Sequence, residues 1–542
     1  MRIFFAFLAL MFLAAASPAA EPEYDIVVYG GTSGGVAAAV QGARLGRRVL
    51  LIEPGQHLGG LTSGGLGATD IGNKAAIGGL AREFYRRIRK EYDNDAAWRF
   101  EKHAEFTGRG HDKNEDTAWT FEPHVAEKVF RDLIREHNVT VAFGQRLDLK
   151  HGVEKAGGRI ISIRMESGET FRGKIFIDAS YEGDLMAKAS VSYHVGREAN
   201  KTYGETPNGV QVKNAIHHQF IKRVDAYVKP GDPASGLLPL VEAGPPGTDG
   251  DGDRRVQAYN FRLCATDRPA NRRPWPKPKN YDEKQYELLL RNFEAGDLRL
   301  PWNPVLMPNR KTDSNNNFAF STDNIGKNYE YPDGDYAKRE RIWTEHVDYQ
   351  KGLMWTLANH PRVPEKVRKH FQTWGLAKDE FPDTDNWPNQ LYIREARRMI
   401  GEYVMIERNC RGKRLAEDSI GLAAYTMDSH NVQRYATRDG AVRNEGDVQV
   451  GGFPPYPIAY RSIVPKANEC ENLLVPVCLS ASHISYGSIR MEPVFMVLGE
   501  SAATAAAQAI DEAVAVQKID YPKLRERLLK DKQVLEWRKQ TR

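Results

Sequence analysis

From Tyr24 to Glu53 the chain runs Tyr24-Asp25-Ile26-Val27-Val28-Tyr29, Gly30-Gly31-Thr32-Ser33-Gly34-Gly35, Val36-Ala37-Ala38-Ala39-Val40, and Arg48-Val49-Leu50-Leu51-Ile52-Glu53. No other stretch restricts the fold as strongly. The two apolar runs suit parallel strands buried on both faces, and the small-residue run between them suits a helix packed closely on those strands. Gly30 permits the tight turn and Gly35 the close approach of helix to strand. The helix N-terminus, at Gly31, Thr32, Ser33 and Gly34, offers free N–H groups to a pyrophosphate. Glu53, about 20 residues after the turn, is placed to accept from ribose hydroxyls. The unit departs from G-x-G-x-x-G at its middle position, which is Thr32. A side chain there either crowds the pyrophosphate or bonds to it. This arrangement of strand, glycine turn, helix, strand and acid predicts an α/β fold with a Rossmann-type dinucleotide-binding domain.

Past Glu53 the sequence continues Pro54-Gly55-Gln56-His57-Leu58-Gly59-Gly60-Leu61-Thr62-Ser63-Gly64-Gly65-Leu66-Gly67. Glycine at this density lets backbone lie flat against a ligand. Lys174-Ile175-Phe176-Ile177-Asp178-Ala179-Ser180 reads as a strand ending in small residues, followed by Glu182-Gly183-Asp184. Asn472 to Cys478 reads as another strand. Ser480-Ala481-Ser482-His483 and Ser488-Ile489-Arg490-Met491-Glu492-Pro493 then lead into an alanine-rich helix from about Val494 to Ile510.

These segments resemble flavoproteins of the glutathione-reductase and succinate-dehydrogenase type. Phe121-Glu122-Pro123-His124, Tyr392 to Arg398 and Asp428-Ser429-His430-Asn431 are similar to segments of secreted bacterial FAD-dependent oxidoreductases, some of which are catalogued as xanthan lyases. The resemblance covers nearly the whole chain after the N-terminal leader. It implies FAD as cofactor, held by Gly30 to Gly35, Glu53, Pro54, His57, Gly59, Gly60, Leu61, Thr62, Ala179, Gly183, Asp184, Arg490, Glu492 and Pro493. It also implies that the last helix points its N-terminus at the flavin pyrimidine ring, where negative charge gathers on reduction. No second glycine-rich unit for a nicotinamide nucleotide follows, so the expected electron acceptor is a quinone, a cytochrome or oxygen.

The FAD domain is expected to be discontinuous, with residues 21–192 and 441–542 enclosing a loop-rich α+β substrate domain at 193–440. Helical patterns are predicted at about 281–294 and 336–359. Before this, Arg2, an apolar run from Ile3 to Ala16, and Ser17-Pro18-Ala19-Ala20 describe a signal peptide over 1–20. The apolar run of roughly 14 residues is too short to span a bilayer. The expected location is therefore periplasmic or extracellular, without an integral membrane segment after cleavage. The formal net charge of +5, with 76 basic and 71 acidic residues interspersed, has no concentrated basic face for nucleic acid. Four cysteines, Cys264, Cys410, Cys470 and Cys478, form no Cys-x-x-Cys motif and leave disulfide pairing open. His111-Asp112 and His217-His218 lack metal-ligand spacing, and no metal is predicted.

Candidate catalytic residues are His483, His430 and Arg394. The histidines suit proton transfer near neutral pH. Strand alternation would put Arg394 and Arg398 on one face with Arg397 opposite, poised to hold a substrate carboxylate or to pair with Glu395 and its neighbours. Asn315-Asn316-Asn317 suit a polyhydroxyl pocket, and Trp302, Trp343, Trp355 and Trp387 are candidates for stacking on sugar rings. The leading expectation is a dehydrogenase moving a hydride between a small polar, sugar-derived substrate and FAD. The alternatives are a redox-neutral FAD-containing lyase or isomerase acting on carbohydrate, and a glycan-binding protein with a vestigial flavin site.

Overall fold

The computed structural model describes residues 24–537. The expected signal peptide at 1–20 lies outside the described residues. The first strand, β1 (Tyr24–Tyr29), is followed by helix α1 (Ser33–Arg44) and strand β2 (Val49–Glu53). Helices α2 (Gly79–Tyr92) and α3 (Pro123–Glu136) precede strands β3 (Thr140–Phe143), β4 (Val153–Ala156), β5 (Arg159–Arg164) and β6 (Thr170–Asp178). These strands form one sheet in the order β3-β2-β1-β6-β5-β4. Its β3-β2-β1-β6 part is parallel, β5 and β4 continue it antiparallel, and Leu473–Leu474 adds in parallel beside β6.

The order reverses at β1, so the carboxyl ends of β1, β2 and β6 open on one crevice, where open α/β sheets bind their ligands. Gly30, Glu53 and Ala179 all stand at that edge. Helix α1 packs against the helix Glu492–Glu512, whose alanines and Gly499 allow near-contact of the backbones. A Cβ on Gly499 would fall 2.0 Å from the Gly34 carbonyl oxygen. The Glu492–Glu512 helix is long and apolar enough to cross a membrane, but it is buried as a core element.

A second, five-stranded sheet runs Trp302–Met307, Lys311–Asn316, Leu263–Thr266, Gly375–Ala377, Arg272–Arg273. With the helices Glu287–Glu294 and Tyr336–Asn359 it lies wholly within 193–440. A boundary at 440 falls in the turn of the hairpin Gln433–Ala436/Val442–Glu445. Only Arg397 and Arg398 of the Tyr392–Arg398 segment are strand, in Arg397–Met399, which pairs with Tyr193–Val195. Arg394 stands outside it, so the expected alternation of Arg394 and Arg398 on one strand face does not occur. All four cysteines are buried free thiols.

Candidate active site

The glycine turn carries the geometry of a nucleotide site. A Cβ on Gly35 would lie 1.8 Å from the Gly30 carbonyl oxygen, so only glycine permits this approach of helix to strand. Thr32 neither crowds the crevice nor reaches into it. Its hydroxyl donates to the Ala179 carbonyl at 2.7 Å and accepts from the Gly35 N–H at 3.2 Å. It thus caps α1 and ties the turn to the end of β6. Among the described residues no acceptor meets the N–H of Ser33 or Gly34, which leaves a buried helix N-terminus with open donors. Glu53 accepts from Gly31 N–H at 2.7 Å and Gly55 N–H at 2.5 Å, and desolvation still pushes its pKa up to about 7. Each of its oxygens retains a lone pair for a ribose hydroxyl.

The glycine loop completes the crevice. Gly59 has φ +103°, and a Cβ there would meet the Phe130 ring at 2.4 Å. Leu61 N–H donates to the Tyr181 hydroxyl at 2.8 Å, and that hydroxyl donates to Glu492 at 2.8 Å. Glu492 also accepts from Ser33 at 2.5 Å and Thr62 at 2.9 Å, while burial raises its pKa. Three segments distant in sequence therefore converge on one buried carboxyl beside the α1 N-terminus. Pro493 occupies the first turn of the core helix, where its missing N–H costs nothing.

Other residues expected in this site are engaged elsewhere. Asp184 gives both carboxylate oxygens to Arg339, at 2.6 and 2.9 Å, and one also to Arg397 at 2.7 Å. His57 has Nδ1 3.0 Å from Glu127 and Nε2 2.8 Å from Asp383, so both ring nitrogens face carboxylates. Gly183 takes a left-handed conformation, φ +69°, at the turn after β6.

Beside Arg490 and Met491, immediately before the core helix, lies a cavity of about 240 Å³. Asp70, His218, Arg262, Asn303, Asn315, Asn316, Asn317, Tyr392, Tyr425, Asp428, His430 and Gln449 contribute polar groups to its wall. His430 has Nδ1 3.0 Å from Asp323 and Nε2 3.4 Å from Asp428. Burial and Arg394 press its pKa down, but the two carboxylates outweigh them and raise it above the ordinary histidine value. Asp428 is held well below the carboxylate range, despite burial, by His430 and Arg490. Burial takes His218 down to about 4. Its Nδ1 accepts the Phe318 N–H at 2.9 Å, so the neutral ring carries its proton on Nε2. Burial pushes the neighbouring Asp447 up to about 7.

The guanidinium groups here are already paired. Arg262 bonds Asp313 at 2.7 and 2.8 Å, Arg490 lies 3.1 Å from Asp428, and Arg394 lies 3.0 Å from Asp323. All three point at the Tyr392 ring, 4.6 to 5.8 Å from its centroid. Arg397 and Arg398 are likewise paired, with Asp184 and with Glu395 and Glu198.

Of the three candidate catalytic residues, only His430 lines this cavity. Arg394 stands one layer behind it, through Asp323. His483 is enclosed, with Nε2 3.0 Å from Ser429 Oγ and Nδ1 2.8 Å from Glu395. That Ser-His-Glu line has the spacing of an acyl-transfer triad, but its members are 0–2% exposed and none lines the cavity. Asn315, Asn316 and Asn317 do line it. The four tryptophans do not: Trp302 and Trp387 are core, Trp343 packs on Phe261, and Trp355 on Tyr281. Sequence reasoning missed Asp70, His218, Arg262, Asp323, Tyr425 and Asp447 as a group. His218 carried a weak signal as half of a histidine pair, and Asp70 and Arg262 carried none.

Glu122, His124 and Glu380 bring three potential metal-ligand atoms within 4.8 Å of one another. The Lys311 ammonium lies 2.7 Å from Glu122, 2.6 Å from Glu380 and 2.9 Å from Asp379. A lysine thus supplies the positive charge at the centre of that cluster.

A crossover crevice with a glycine turn, the acid Glu53 at its edge and a helix N-terminus with open donors has the form of a dinucleotide-binding domain of the doubly wound type. The sequence profile of the family described as FAD dependent oxidoreductase matches residues 25–528, and the chain belongs to that family. The residues of the crevice fit FAD. No curated protein matches the chain significantly. Among solved structures it is similar to L-amino acid deaminase from Proteus vulgaris, at 15% identity and TM-score 0.24 over 34% of this chain and 54% of that one. It is also similar to L-proline dehydrogenase from P. horikoshii, at 13% identity and TM-score 0.23 over 33% of this chain and 59% of that one. The flavin-dependent brominase Bmp2 gives 21% identity and TM-score 0.22 over 32% and 42%. The chain therefore spans less than two thirds of these proteins' own length.

Proposed function

We propose that the protein is an exported dehydrogenase that oxidises an alcohol on a small, uncharged, sugar-derived polyol held in the cavity beside Arg490. The observation that carries this reading is His430, set between Asp323 and Asp428 in a wall of amides, hydroxyls and paired charges. Bound FAD supplies the hydride-accepting centre. His430, in its neutral form, takes the hydroxyl proton at Nε2, while Asp323 fixes the ring through Nδ1. The Nε2–H of neutral His218 and the side-chain amides of Asn315, Asn316 and Asn317 orient hydroxyl groups. Arg262, Arg394 and Arg490 each already hold a carboxylate, so their charges are matched without a substrate anion. That pairing favours an uncharged polyol. Electrons leave to a quinone, a cytochrome or oxygen, as the lack of a second nucleotide unit suggests. Export rests on the N-terminal leader and is tested by the N-terminal mass of the protein recovered from the periplasm.

The test is the visible spectrum of the purified protein, followed anaerobically during addition of aldoses, sugar alcohols and 2-hydroxy acids. Bleaching by a neutral sugar or polyol is the expected result. Bleaching by hydroxy acids alone would overturn the substrate assignment. Product formation with the flavin spectrum unchanged would replace the dehydrogenase with a lyase or isomerase, and binding without turnover would leave a glycan-binding protein.

A further inference from the structure

The glycine loop that follows Glu53 is gripped from both halves of the protein. Gly59 meets Phe130 and Gly60 meets Tyr181, both from the nucleotide-binding half. Gly64 and Gly65 are covered instead by residues of the 193–440 region. A Cβ on Gly64 would lie 2.3 Å from the Gln390 Cβ and 3.0 Å from the Asn389 Oδ1. One on Gly65 would lie 2.2 Å from the Arg262 carbonyl oxygen. Residues 380–390 thus cross the loop as a strap.

At the start of the strap, Glu380 accepts from the His124 N–H at 3.1 Å, in the first turn of α3. Three residues on, Asp383 lies 2.8 Å from His57 Nε2, whose Nδ1 is 3.0 Å from Glu127 on α3. His57 precedes Leu58 and the Gly59-Gly60 pair, so its ring pins the loop to the strap on one side and to α3 on the other. Phe381, Asp385 and Asn386 take left-handed backbone, with φ +51°, +61° and +61°. Non-glycine residues hold that conformation where tertiary contacts impose it. Further along, Trp387 Nε1 and Asn389 Nδ2 are buried donors that meet no acceptor among the described residues. Buried donors are nearly always paired. FAD is rich in acceptors, and the Asn389 amide touches the loop of its site.

We propose that residues 380–390 close the FAD site from the substrate domain, with Asn389 donating to the dinucleotide and Asp383 retaining it through His57. Asp383 is a positioning residue, since it acts through the histidine. This assignment rests on FAD as the cofactor and is independent of the substrate reading.

The Glu127 bond raises the His57 pKa against the effect of burial, and Asp383 adds to the rise. Below that pKa the ring is a cation between two carboxylates, and above it the pin loses its charge attraction. The other charged groups here are Arg131, 2.6 Å from Glu127, and Glu53 in the crevice. Arginine stays charged over this range. Glu53 becomes the stronger acceptor as it ionises at about 7, which tightens FAD and so acts in the opposite sense.

The test is the rate of FAD release from the holoenzyme, read as recovered flavin fluorescence after dilution, for the parent and Asp383→Asn. Asp383 is 53% exposed, so the variant should release FAD only about fivefold faster at about pH 6, with the ratio falling to about one at about pH 9. Glu53 is common to both proteins and drops out of that ratio. Asn389→Ala should weaken FAD binding about tenfold at both pH values, while its apoprotein melts as the parent does. Asn389→Asp, which keeps the shape and removes the donor, repeats the measurement where the alanine variant fails to fold. A release ratio equal at the two pH values overturns the proposal. So does FAD affinity that neither Asn389 variant lowers.

Discussion

Replacing Thr32 with valine removes one hydroxyl, keeps the side-chain shape and leaves the glycine turn otherwise intact. In the folded protein that hydroxyl makes two bonds, to the Ala179 carbonyl and from the Gly35 N–H. Loss of the cap on α1 costs about 1 kcal/mol. Stranding the Ala179 carbonyl, in a site where Ala179 is fully buried, costs about 1–3 kcal/mol more. The sum is about 2–4 kcal/mol. A chain of this length loses about 1 kcal/mol per degree at its midpoint, so the melting temperature should fall by about 2–4 °C. Thr32→Ser, which keeps the hydroxyl, should stay within about 0.5 kcal/mol of the parent. The assay is urea unfolding of the apoprotein, with FAD affinity measured in parallel by flavin fluorescence. A valine variant as stable as the parent but poor at binding FAD would refute the argument. The hydroxyl would then serve the pyrophosphate and not the helix.

Three other outcomes are expected. His430→Gln should keep the flavin spectrum and slow substrate-driven bleaching by about 10²–10⁴-fold. In the parent the raised pKa places the acid limb of the bleaching rate above the usual histidine range, and Asp323→Asn should move it down by about 1–3 pH units in rapid-mixing traces. Lys311→Met leaves Glu122 and Glu380 buried without their cation, and urea unfolding should report a loss of about 3–5 kcal/mol. Glu500 is pushed up to about 8 by burial, above its unfolded value, so its contribution to stability is present at low pH and lost as pH rises through 8. Glu500→Gln keeps acceptance from Leu80 N–H and Gln533, so it should match the parent at pH 5 and exceed it at pH 8.5 in melting curves.

The cofactor half of this protein was legible in the sequence because its signals are local. The turn from Gly30 to Gly35, the acid at Glu53 and the Gly59-Gly60 loop are contiguous, and each needs a residue type that backbone geometry dictates. The core helix was read two residues short at each end, since a buried helix has no polar face to mark its ends. The middle position of the glycine turn was open on sequence alone. A threonine there either crowds the ligand or turns away, and only the location of Ala179, 147 residues on, decides that it turns away.

The substrate half could not be read from local pattern. Its cavity draws on Asp70, His218, Arg262, Asn315, Tyr392, His430 and Arg490, which no spacing rule links. His430 and His483 had equal standing as candidates in the sequence. Tertiary packing separated them by placing His430 on a cavity wall and closing Ser429 and Glu395 around His483. The arginines followed the same logic: any of Arg394, Arg397 and Arg398 was free to hold a substrate carboxylate until the fold delivered Asp323, Asp184 and Glu198 to them. Sequence alone determined the nucleotide-binding domain, because short-range backbone constraints suffice there. The chemistry of the pocket was decided by tertiary structure, because burial and charge pairing arise between residues that meet only when the chain is folded.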